Sequence, residues 1–110
     1  MDVREIMALD ALATGHYQSA LACHSAVERM LNSLRGMLPS AETYAVILRC
    51  IELTRGEADD QGDLMRAAHE AGCEGDRAIY DRAVAAHQAK RAAITAAELE
   101  ALAAESPAEL

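Results

Sequence analysis

IMALDALATGHYQSALACHSAVERMLNSLRGM, residues 6–37, says more about the architecture than any other segment of the chain. In it Ile6, Leu9, Ala13, His16, Ala20, Cys23, Val27, Met30, Leu34 and Met37 recur at alternating spacings of three and four. That is the period of one helix face. Leu12, Tyr17, Leu21, Leu31 and Leu38 widen the stripe, as a core-facing helix requires. The helix should begin near Asp2 or Val3 and end at Gly36 and Pro39, since glycine suits the left-handed cap and proline cannot continue. Thr14-Gly15 is a candidate break or kink, because glycine inside a helix costs roughly 1 kcal/mol against alanine.

Beyond this helix, composition gives the same fold class. The 110-residue chain suits one domain, and 52% of it is hydrophobic with no Phe, no Trp and three Tyr. A core of Leu, Ile, Val, Met and Ala, with strand formers scarce, reads as all-α. Ser40 should cap a second helix, Ala41 to Arg55, stopped by Gly56. Residues 57–63 then read as an acidic connection, followed by a third helix through Leu64, Met65, Ala68 and His69 to Gly72. Asp76 should cap a fourth helix carrying Ile79, Tyr80, Ala83, Val84 and His87. Thr95 and Glu98 have capping-box spacing, and Ile94 with Leu99 has that of a hydrophobic staple, so a short fifth helix should start near Ala96 and end before Pro107. The expectation is an antiparallel bundle of four main helices plus a short C-terminal helix.

Charge narrows the function. A net charge of −8 opposes nucleic-acid binding. Residues 1–55 carry five basic and six acidic side chains, whereas residues 56–110 carry five and twelve. Such an acidic half serves solubility or meets a basic protein. The first ten residues lack the basic start and apolar run of a secretory signal, and no stretch is apolar enough for a membrane span. Three widely spaced cysteines, Cys23, Cys50 and Cys73, form no disulfide framework and point to a reducing cytoplasm.

Catalytic and metal signatures are thin. His16, Cys23 and Met30 share a face at seven-residue spacing, and His69 and Cys73 lie four apart, so these five form the candidate set for a soft metal or haem. Against it, Met and Cys are ordinary core residues, and no CxxC or HxxxH occurs. A di-iron site would need Glu three residues before each His, where Ala13, Leu21, Arg66 and Val84 stand. An EF-hand aligned on Gly62 would end on Ala68 in place of its bidentate Glu. Cys23 and His24 are about 100° apart on a helix and do not meet, and no oxyanion motif accompanies Cys73 and His69. The expectation is no enzyme and no cofactor.

Three short segments resemble known families. Met65–Gly72, with His69 central, looks like the phospho-acceptor helix of histidine phosphotransfer domains, which implies phosphorylation of His69; Gly72 stands where that family has lysine. Gly15–Leu21 is similar to the turn and second helix of a tetratricopeptide repeat, but the next comparable glycine, Gly56, is 41 residues on. The family period is about 34. Arg49–Leu53 resembles one helix of the cysteine-rich four-helix copper-storage proteins, whose further cysteines are missing. No family membership is read from them.

The most informative surface signal is the absence of charge over the seventeen residues from Ala11 to Val27, nearly five turns. A helix at a monomer's surface ordinarily shows a charged outer face. Here Ser19, Ala22, Ser25 and Ala26 occupy it, and His16 of the same uncharged stretch joins them as a candidate contact. Either the other helices surround this one, or its outer face meets another subunit; the second reading is preferred. Together with Glu57, Asp59, Asp60 and Asp63, these residues make the candidate partner-binding set. The functional expectation is a small acidic interaction module of inhibitor, immunity-protein, chaperone or adaptor type, acting in a homo- or hetero-oligomer. A soft-metal or haem bundle is the first alternative and a phosphotransfer domain the second.

Overall fold

Asp2 starts the first helix as expected: its carboxylate accepts the Glu5 N–H at 2.8 Å. A computed structural model describes residues 1–37 and 40–105. Three long helices account for nearly all of them: α1 (Val3–Leu34), α2 (Ala41–Glu74) and α3 (Arg77–Glu105), with a 3-10 turn at Arg35–Met37. Among the described residues there is no strand. The stripe residue Leu38, the stop at Pro39 and the helix end expected before Pro107 fall on or beside residues outside those described.

The all-α class stands, but the expectation of four main helices plus a short fifth is overturned. Residues 41–74 form one helix where two joined by an acidic connection were expected. Gly56 does not end it, and residues 57–63 are helical. The reason is packing. Ala58 and Gly62 are buried against α1, and a Cβ on Gly62 would lie 3.2 Å from Tyr17 Cε1. Gly72 is likewise a notch, where a Cβ would meet Ile6 Cγ2 at 3.0 Å. Glycine's penalty of roughly 1 kcal/mol is small beside the burial that a continuous helix gains. Gly15 neither breaks nor ends α1.

The stop comes three residues beyond Gly72. Gly75 adopts φ 68°, and its N–H returns to the Ala71 carbonyl. Asp76 then accepts the Ala78 N–H at 3.0 Å and starts α3. Gly75→Ala is expected to cost about 1 kcal/mol, because a Cβ in the left-handed region meets the following carbonyl. In a thermal melt this lowers Tm by roughly 4–8 °C; an unchanged Tm would contradict the cap.

The fifth helix does not exist separately. α3 runs through Thr95 and Glu98 without a reset, and Glu98 pairs with Arg49 of α2 at 3.1 Å instead of closing a capping box. Ser40 does cap α2, accepting the Thr43 N–H at 3.2 Å.

The helices run up, down and up with α2 in the middle. α1 packs on α2 and α2 on α3, while the α1 and α3 backbones do not approach one another among the described residues. Two separate cores result. Leu9, Ala13, Leu64, Ala68, Ala71 and Tyr80 join all three helices where α1 begins and α2 ends. Leu31, Ile47 and Ile51 join only α1 and α2 at the opposite end. From Lys90 onward every described α3 side chain is exposed.

The outcome is a single bent layer. Its extents are 56 × 37 × 15 Å, the last little more than one helix with its side chains, roughly 10–12 Å across. The radius of gyration is 18.4 Å, against about 13 Å for a closed domain of this length.

Candidate interaction surface

At 100° per residue the two flanks of α1 separate cleanly. Met7, Asp10, Thr14 and Leu21 line clefts shared with Asp59, Asp63, Arg66, His69 and Cys73 of α2, on the convex side of the layer. Leu12, His16, Ser19, Cys23 and Met30 therefore lie on the opposite flank, toward the concave side. There α1 and α3 face each other across α2. Tyr80 fills that space at the closed end and is buried in the three-helix core. At the other end, where α1 finishes, α2 starts and α3 continues, no core residue bridges α1 to α3 among the described residues.

Two thirds of the large exposed apolar side chains lie toward this open end. Met30 and Met37 of the α1 segment, Val46, Leu48 and Leu53 of α2, and Ile94, Leu99 and Leu102 of α3 are all at least 40% exposed. Val46, Cys50 and Leu53 follow i, i+4, i+7 spacing and form one stripe on α2. The total accessible surface is 7730 Å², about 1,800 Å² above the roughly 5,900 Å² expected of a folded 11.8 kDa chain.

Of the residues expected to meet a partner, His16, Ser19, Ala22, Ser25 and Ala26 of α1 are all exposed. The acidic set is divided. Asp59 and Asp63 are exposed on α2, Asp63 in an ion pair with Arg66. Glu57 and Asp60 turn toward α3 and are partly buried. Lys90 Nζ donates to the two Asp60 oxygens at 2.8 and 3.1 Å, and Arg91 lies 3.6 Å from Glu57. Gln61 Nε2 donates to Glu57 Oε1 at 2.9 Å. The Asp60 hydrogen bond, reinforced by its charge, holds Lys90 above the ordinary lysine value.

His87 sits between these acids, Nε2 at 3.5 Å from Glu57 and Nδ1 at 3.6 Å from Asp60, with neither nitrogen hydrogen-bonded. One atom from each of Glu57, Asp60 and His87 falls within 4.8 Å of the others. Two carboxylates and an imidazole suit a divalent ion. Here, however, Lys90 and Arg91 already balance both acids, and the two ring nitrogens face different carboxylates. The cluster serves as an ionic seam between α2 and α3. Residue reading missed it because its parts are 30 positions apart, on helices whose pairing no local pattern reveals.

The soft-ligand set does not converge. His16, Cys23 and Met30 are exposed along one flank of α1, with successive members about 10 Å apart by helical rise. His69 and Cys73 are on the convex side, Nε2 and Sγ 3.7 Å from each other. None of these His or Cys residues joins a ligand group among the described residues. His24 instead links two helices. Its Nδ1 meets the Thr54 hydroxyl at 2.8 Å, and its Nε2 lies 2.5 Å from Glu28. Thr54 in turn donates to the Cys50 carbonyl at 2.8 Å. This chain of polar contacts ties α1 to α2 between the two cores.

Comparison with protein-family models, with curated proteins and with solved structures finds no match to this chain. No described helix is long and apolar enough to cross a membrane.

Proposed function

We propose that this chain is a non-catalytic helical interaction module whose open end covers an apolar surface of a protein partner. The observation that carries the reading is the set of large exposed apolar residues, Met30, Val46, Leu53, Ile94 and Leu99 among them, where the three helices end without a common core. Monomeric soluble proteins seldom leave so extended an apolar patch, and such patches mark interaction sites. The uncharged flank of α1 runs into the same end, adding Ser19 and Cys23 to the surface. Arg29 and Arg49 are exposed at the same end, polar residues of the kind that rim interface cores. The acidic excess of residues 56–110 keeps the remaining surface soluble.

The test is site-specific photo-crosslinking in the native cell, with a photoreactive phenylalanine analogue replacing Met30, Leu99 or, as a convex-side control, Asp59. Adducts are expected from Met30 and Leu99 and not from Asp59. An equal adduct pattern at all three positions, or none at any, rejects the reading.

A further inference from the structure

We infer that the partner seated on the open end is a second copy of this chain, the α3 tail of each copy lying in the α1–α3 groove of the other. This rests on the interaction reading above and specifies its occupant.

Three observations carry it. The first is shape. A helical domain ordinarily buries its apolar stripes between two layers, and this chain supplies one. On the concave side of α2 at the open end a further helix would have Cys23 and Met30 of α1 beside it and the Val46, Cys50 and Leu53 stripe beneath it, all of them exposed. The second is the tail itself. Past Arg91 no described side chain of α3 enters a core, and Ile94 and Leu99 are 40% and 62% exposed. The chain thus carries both an unfilled groove and an exposed apolar helix. Exchanging them about a two-fold axis satisfies both at once, with the same patch used on each side.

The third is area and charge. The surplus of about 1,800 Å² per chain exceeds the roughly 800 Å² per partner of a standard interface and fits an obligate dimer. Residues 92–105 carry three acids and no base, whereas residues 28–55 carry four arginines and three acids. The tail, at −3, thus meets a segment at +1 despite the chain's net −8, with Glu98 already held by Arg49 of its own chain.

Light scattering on the purified full chain, across a dilution series, tests this. The expected mass is twice 11.8 kDa. Leu99→Glu should raise the dissociation constant roughly 100-fold, from the lost burial of one leucine and the burial of a charge, with helicity by circular dichroism unchanged. Met7→Glu, on the convex flank, should leave the mass as it is. If Leu99→Glu loses helix, the uncharged Leu99→Gln carries the same test. A wild-type chain that remains a monomer at about 100 μM overturns the inference, as does a dimer indifferent to both Leu99 variants. In the crosslinking above, adducts of twice the chain mass support the second copy; adducts of another mass from Met30 and Leu99 overturn it while leaving the interaction reading intact.

Discussion

Tyr80→Ala is expected to release α3 from the rest of the molecule at a cost of about 3 kcal/mol or more. Tyr80 is the one aromatic residue of the three-helix core, where it packs with Leu9, Ala13, Leu64, Ala68 and Ala71. Alanine at most of those positions means that no neighbour has the reach to fill the space left behind. The cavity penalty therefore adds to the lost burial. The ionic seam of Glu57, Asp60, His87, Lys90 and Arg91 would remain, but ion pairs with exposed members contribute little on their own. Hydrogen exchange should show the amides of residues 77–90 losing protection while those of α1 and the first half of α2 keep theirs. Retained protection across α3 would mean that the seam, and not the tyrosine, holds this helix.

Ile51→Ala is the counterpart at the other end, with an expected cost of about 2–4 kcal/mol. Ile51 shares its cluster with Leu31 and Ile47, flanked by Val27, Leu34 and Tyr44. With so few members, loss of one leaves no alternative packing. Denaturant unfolding should show the loss in midpoint, and hydrogen exchange should locate it in residues 27–34 and 41–51, away from Tyr80. Because the two clusters have no residue in common, Tyr80→Ala and Ile51→Ala should add to within about 0.5 kcal/mol in the double variant. A coupling well above that would show that the bent layer behaves as one core.

The concave groove follows from the same division. A chain with a single continuous core would have drawn α3 along its whole length against α1 and α2. Here the large apolar residues of α3 near Tyr80 are Ile79 and Val84, and the next ones, Ile94, Leu99 and Leu102, come after the charged pair Lys90-Arg91 and are separated by three alanines, two glutamates and a threonine. The first group packs on the three-helix core, whereas every member of the second stays at least 40% exposed.

The helical class, a first helix starting near Asp2, the caps at Ser40 and Asp76, and the uncharged stretch of α1 were all legible along the chain. Each is a local property: a side-chain oxygen one turn from a free N–H, or an apolar period read over successive turns. The candidate surface was legible only in part: the uncharged α1 residues stand out along the chain, whereas Val46, Leu53, Ile94 and Leu99 carry the same apolar signal as core residues. The number of helices was not. Gly56, Gly62 and Gly72 carry the same local signal as a stop, and Thr95 with Glu98 the same signal as a start. What overrides them lies elsewhere in the chain: Tyr17 against Gly62, Ile6 against Gly72, and Arg49 drawing Glu98 away from its box. Local capping energies of about 1 kcal/mol yield where a notch lets two long helices pack closely. The pairing of Glu57 and Asp60 with Lys90 and Arg91, and the open end itself, are likewise consequences of which helix lies beside which, and no spacing along the chain records that.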